Sequence, residues 1–203
     1  MTTKENVRKT LDYQSSLWGE MMLEKYSEVL GLPVICIDNG KKIGCVKDVV
    51  FYPGTREVKA FLLERSGCQL RKKIILLRDV LNVGKDAIVV NNCSCARNLN
   101  ELDKAEGFHG YGRIIGLRIY SKSGNDLGTV KDVLFDSKTG IVEGVEVSDG
   151  LFHDLVQGRN MLPLFGKVEF SEENILVDKE AIDEMVHNGG GLKRRLSDNK
   201  KYL

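Results

Sequence analysis

The stretch Gly44–Phe51 reads GCVKDVVF and Gly128–Phe135 reads GTVKDVLF, one sentence written twice at a spacing of 84 residues (128 minus 44). A repeat constrains the fold more than any composition does, because both copies must build the same unit. The match runs well past this stretch. VLGLPVI (Val29–Ile35) meets IIGLRIY (Ile114–Tyr120), GKKIG (Gly40–Gly44) meets GNDLG (Gly124–Gly128), and EVKAFLL (Glu57–Leu63) meets IVEGVEV (Ile141–Val147). Farther on, IILLRDV (Ile74–Val80) falls on MLPLFGK (Met161–Lys167), and DAIVV (Asp86–Val90) falls on ENILV (Glu173–Val177). Two copies of about 65 residues predict two similar small domains rather than a solenoid, which needs three or more units.

Each copy reads as β-structure. Short Val/Ile/Leu runs alternate with Gly, Asn, Asp, Ser and Lys at the spacing of a small sandwich or barrel. Asn39-Gly40 and Ser123-Gly124 suit tight hairpin turns that need positive φ, and DSKTG (Asp136–Gly140) is a second turn signal. A sheet this small buries its apolar face only by curling or pairing, so a small closed barrel is predicted. The fold class expected is therefore mainly β, two tandem small antiparallel barrels with short flanking helices.

Within the repeated stretch, Val46 and Val49 are apolar and three apart, as are Val130 and Val133. Side chains of a regular strand alternate faces, so one phase cannot bury both members of either pair. An extra residue at Lys47–Asp48 and at Lys131–Asp132 resets the phase, which is what a β-bulge does. The Asp of each pair is then placed to accept hydrogen bonds from backbone donors that the bulge frees. Lys47, Asp48, Lys131 and Asp132 are thus a candidate structural motif rather than a catalytic one.

These residues carry a resemblance. GLPVI…GKKIGCVKDVVFYPGTREVKAFLL and GLRIY…GNDLGTVKDVLFDSKTGIVEGVEV resemble PRC-barrel domains, the module of the photosynthetic reaction centre H subunit and of the C-terminus of the ribosome maturation factor RimM. The markers are G-x-V-K-D-V with a following aromatic, the Thr-Gly turn and the returning apolar strand. The first copy departs at its turn, YPGTRE for DSKTGI, and the copies differ most after their third strand. The resemblance implies a small barrel used for contact with proteins or ribonucleoproteins, with no shared catalytic residues to carry over.

The domain organisation expected is an N-terminal arm and helix over 1–26, barrels over 27–92 and 112–179, a linker over 93–111, and a C-terminal helix with a basic tail over 180–203. Ser16 suits the N-cap of a helix running to Gly31, with Leu17, Met21 and Tyr26 along one stripe and Trp18 beside it. That helix packs on the first barrel or presents Trp18 to a partner. A short helix is also expected within the linker, over ARNLNELDKAEG. Cys93-x-Cys95 and His109 offer three ligands where structural zinc usually takes four; unremarkable thiols are the first reading, with zinc or redox chemistry as alternatives. Cys36 and Cys45 align with Ser121 and Thr129, which favours small-residue packing.

With 30 Lys+Arg against 29 Asp+Glu, no whole-chain positive field argues for nucleic acid. Basic residues do cluster locally at Arg71, Lys72 and Lys73, and at Lys193, Arg194 and Arg195 in the tail. No apolar run reaches a membrane-spanning length, and the start lacks a secretory pattern, so a cytoplasmic protein is expected. No nucleotide-cradling motif opens a helix, and the three His lack a recognised nucleophile setting; His153-Asp154 is the sole acid–base pair worth testing. The chain is expected to be non-catalytic and to need no cofactor. Its function is read as protein–protein interaction through two barrels, the alternative being RNA or ribosome association through Arg71–Lys73 and the tail.

Overall fold

The computed structural model describes residues 22–52, 54–64, 73–99, 113–148, 161–164 and 168–178. The first copy contributes β2 (Pro33–Cys36), β3 (Lys42–Phe51), β4 (Val58–Leu63), β5 (Lys73–Leu76), β6 (Val80–Val83), β7 (Ile88–Val90) and β8 (Arg97–Asn98). The second contributes β9 (Arg118–Ser121), β10 (Asp126–Asp136), β11 (Val142–Val147), β12 (Met161–Pro163), β13 (Val168–Phe170) and β14 (Asn174–Val177). The strand path β6-β7-β2-β3-β4-β5 in one unit is matched by β13-β14-β9-β10-β11-β12 in the other. The repeat in the chain is thus a repeat of topology. All pairings in the two paths are antiparallel except β2 with β7 and β9 with β14, which are parallel.

β3 and β10 are long, bent strands, and the bend sits in the repeated stretch. Val46 pairs with Leu63 but Asp48 pairs with Leu62, so Lys47 is an extra residue on its strand. Val130 pairs with Val147 and Asp132 with Glu146, leaving Lys131 extra in the same way. A second register shift follows in each, between Val50 and Phe51 and between Leu134 and Phe135. The bulge turns both Val46 and Val49 inward, and both Val130 and Val133. Each strand then serves two pairings, its first half with β2 or β9 and its second half with β4 or β11.

The segment before the first barrel differs from the sequence expectation. Leu23–Lys25 forms strand β1, and helix α1 spans only Tyr26–Val29. β1 pairs antiparallel with the second half of β10, Leu23 opposite Asp136 and Lys25 opposite Leu134, and Ser137 N donates to Met22 O at 2.8 Å. An open β10 edge offers a row of unpaired backbone groups, and satisfying them outweighs the local helical preference of these residues. At the start of the segment expected to form the linker helix, Arg97–Asn98 is strand β8, which pairs with β5, and residues 100–107 lie outside the described residues. Trp18 and Ser16 lie outside the described residues.

The two units meet along a seam with near two-fold symmetry. Val58 N donates to Gly140 O at 2.7 Å, and Val142 N donates to Arg56 O at 2.8 Å. Both donors and both acceptors are 84 residues apart (142 minus 58, 140 minus 56), and Glu57 faces Ile141 in an isolated bridge between them. Behind the seam the apolar core is continuous: Val49, Phe51 and Phe61 of the first copy belong to one buried cluster with Val133, Phe135 and Val145 of the second. Phe61 and Phe135 lie with ring centroids 6.4 Å apart. A smaller cluster of Val50, Ala60, Leu62, Ile74 and Leu76 fills the other face of the first barrel's sheet, covered by Leu99 just after β8.

Candidate partner-binding site

The two Lys-Asp steps converge on α1. Asp48 Oδ1 accepts from Val49 N at 2.8 Å and from the Tyr26 hydroxyl at 2.8 Å. Asp132 Oδ1 accepts from Val133 N at 2.8 Å and from Ser27 N at 3.0 Å, while its Oδ2 accepts from the Ser27 hydroxyl at 2.5 Å. Consecutive residues of one short helix therefore bind the equivalent carboxylates of both barrels. Tyr26 also stacks on Phe51. Its phenol is pushed up to about 12, chiefly by burial, then by donating to Asp48 and by the charges of Asp48 and Asp132, against the opposing pull of Arg113. Both carboxylates are occupied by backbone and hydroxyl donors, and Lys47 and Lys131 are exposed at the bulges. Such an arrangement holds chain segments together; it places no nucleophile beside a base.

Of the basic residues picked out by sequence, Lys73 is exposed at the start of β5, with Asn98 opposite it. Arg71, Lys72, Lys193, Arg194 and Arg195 lie outside the described residues, as do His109, His153 and His187. The described surface instead shows an apolar feature that sequence reasoning passed over. Ile37 is 65% exposed and Leu81 is 51% exposed. With Val34, Cys36, Ile88 and Val90 buried, strand alternation turns Ile35, Ile37 and Val89 to the outer face, and Leu81 stands in the bulge of β6 beside it.

The second barrel treats the equivalent place differently. Following the alignment of VLGLPVI with IIGLRIY, Ile37 corresponds to Lys122. The Lys122 ammonium sits 2.9 Å from Asp178 and 3.0 Å from Glu169. At this position, then, the second barrel has an ion-paired lysine where the first has an exposed isoleucine. The signal was present in the sequence, as an Ile in one copy where its counterpart is a Lys.

Cys93 approaches not Cys95 but Cys36, with the two sulfurs 2.7 Å apart. Ligand atoms of Cys36, Asp38 and Cys93 all lie within 4.8 Å of one another, a partial metal-ligand set. Cys36, read as small-residue packing, is buried, and Cys93 and Cys95 are half-buried.

A family model for the PRC-barrel domain matches the chain twice, over residues 21–94 and 106–181. The chain belongs to the PRC-barrel domain family. Each match spans one copy of the repeat, and the first includes β1 and α1, which tie the first PRC barrel to the second. PRC-barrel domains are generally non-catalytic and serve protein interaction. No curated protein matches the chain. Among the described residues, no helix is long and apolar enough to cross a membrane.

Proposed function

We propose that this tandem PRC-barrel protein is a non-catalytic adaptor of the cytoplasm, with the two barrels joined as one body and a protein partner docking on the first. The observation that carries the reading is the exposed Ile37, at a position where the second barrel has an ion-paired Lys122, together with the exposed Leu81 on β6 of the same barrel. Exposed aliphatic groups beside an edge strand suit an extended apolar segment, which gains backbone hydrogen bonds from the edge and burial from the side chains. In this reading the Lys-Asp steps brace the fold and do not meet the partner. The domain limits of 27–92 and 112–179 are proposed with one amendment, that β1 and β8 belong to the folded body.

Capture from lysate by the natural chain and by an Ile37→Glu, Leu81→Glu double variant, each with and without nuclease, tests the reading. A discrete protein held by the natural chain after nuclease and lost by the double variant is the expected result, with both chains melting alike. Nuclease-sensitive capture of ribosomal proteins, unaffected by the double variant, would overturn it in favour of contact through Arg71–Lys73 and the basic tail.

A further inference from the structure

A close approach of two thiols, with sulfurs 2.7 Å apart, joins residues 57 positions apart, Cys36 at the end of β2 and Cys93 in the turn after β7. We propose that Cys36 and Cys93 form an oxidisable dithiol, which a peroxide converts into a disulfide joining β2 to the start of the interbarrel linker.

The placement follows from the parallel pairing of β2 with β7. Cys36 lies opposite Val90, and the chains run on side by side, Ile37 N donating to Val90 O at 2.9 Å and Asp38 N to Asn91 O at 3.3 Å. Asn92 then caps a 3-10 turn over Cys93–Cys95, its side chain accepting from Ser94 N, and the turn brings Cys93 back over the β2–β3 hairpin. Asn39 flanks the Cys93 sulfur, with its Nδ2 at 3.7 Å. The two sulfurs, at 2.7 Å, are about 0.65 Å beyond the covalent S–S length of about 2.05 Å. Two sulfurs sharing a tetrahedral zinc stand roughly 3.8 Å apart, given Zn–S bonds of about 2.3 Å. Bond formation therefore needs less movement than zinc binding does, and it uses both thiols without calling on a fourth ligand.

The two thiols have different exposures and so different parts. Cys93 is half-buried and meets the oxidant, while Cys36 is buried and resolves the oxidised Cys93. The Cys93 thiolate attacks one peroxide oxygen. The O–O bond breaks, hydroxide leaves and is protonated to water, and Cys93 becomes the sulfenic acid. The Cys36 sulfur then attacks the Cys93 sulfur, the S–O bond breaks, and the departing hydroxide takes the Cys36 proton as a second water. Two thiols and one peroxide give one disulfide and two waters. In a reducing compartment such a bond is transient, and it marks the protein as oxidised rather than holding it permanently.

The test treats the folded full chain with hydrogen peroxide, blocks remaining thiols with iodoacetamide, and maps peptides without reductant. A Cys36–Cys93 cross-linked peptide, released by dithiothreitol, is the expected result, with a melting temperature higher by roughly 5–10 °C in the oxidised chain. Cys93→Ala, at a half-buried site that tolerates truncation, abolishes both effects, whereas Cys45→Ser leaves both in place. A Cys93–Cys95 link, separate overoxidation of the two thiols, or retention of both as alkylatable thiols after peroxide would overturn the proposal. So would one equivalent of zinc, carried through purification, that shields both thiols from peroxide.

Discussion

At the scale of single residues, the two equivalent aspartates differ in what depends on them. Asp132 is 7% exposed and holds two backbone donors and a hydroxyl, while Asp48 is half-buried and holds one backbone donor and the Tyr26 hydroxyl. Removing a partner from a buried donor costs about 1–3 kcal/mol per group left unpaired. Asp132→Ala is therefore expected to destabilise the fold by roughly 2–3 kcal/mol, and Asp48→Ala by roughly 1–2 kcal/mol. Asp132→Asn keeps an acceptor at Oδ1 and recovers part of the loss. Urea unfolding of the three variants checks this ordering; unchanged midpoints in both alanine variants would remove the bracing role. The bulges were legible because a three-residue gap between buried valines violates strand alternation within a single stretch. The donors on α1 were not, since Ser27 and Asp132 are 105 positions apart and no periodicity links them.

At the scale of elements, the turns decide how closely the barrels approach. Gly140 closes the β10–β11 turn with φ +81°, and a Cβ there would sit 2.5 Å from the Val58 carbonyl oxygen across the seam. Gly124, in the β9–β10 hairpin, has φ +87° but nothing within 4 Å of such a Cβ. Left-handed backbone costs an alanine about 1–2 kcal/mol, and this is the whole expected effect of Gly124→Ala. Gly140→Ala adds a clash with backbone that cannot move without opening the seam, so a loss larger by a further 1–3 kcal/mol, roughly, is expected. Denaturant midpoints compare the two directly, and equal losses would show that the seam yields at no cost. The glycine turns could be read from dipeptides alone. β1 could not, because residues 23–25 have no strand pattern of their own and take their conformation from the β10 edge.

At the scale of the whole molecule, the repeat announces two domains but hides their union. The seam's hydrogen bonds come from backbone groups of Arg56, Val58, Gly140 and Val142, with the Arg56 guanidinium added on the Leu164 carbonyl, and no residue pattern announces such pairings. The same holds for the Cys36–Cys93 approach, which fits no spacing motif. The central claim is that two PRC barrels, one continuous core and a helix gripping both Lys-Asp steps make a single cooperative body. Differential scanning calorimetry of the full chain tests it most directly. The account predicts one transition whose calorimetric and van't Hoff enthalpies agree, shifted as a whole by Asp132→Ala. Two separate transitions, with Asp132→Ala lowering only one of them, would contradict it.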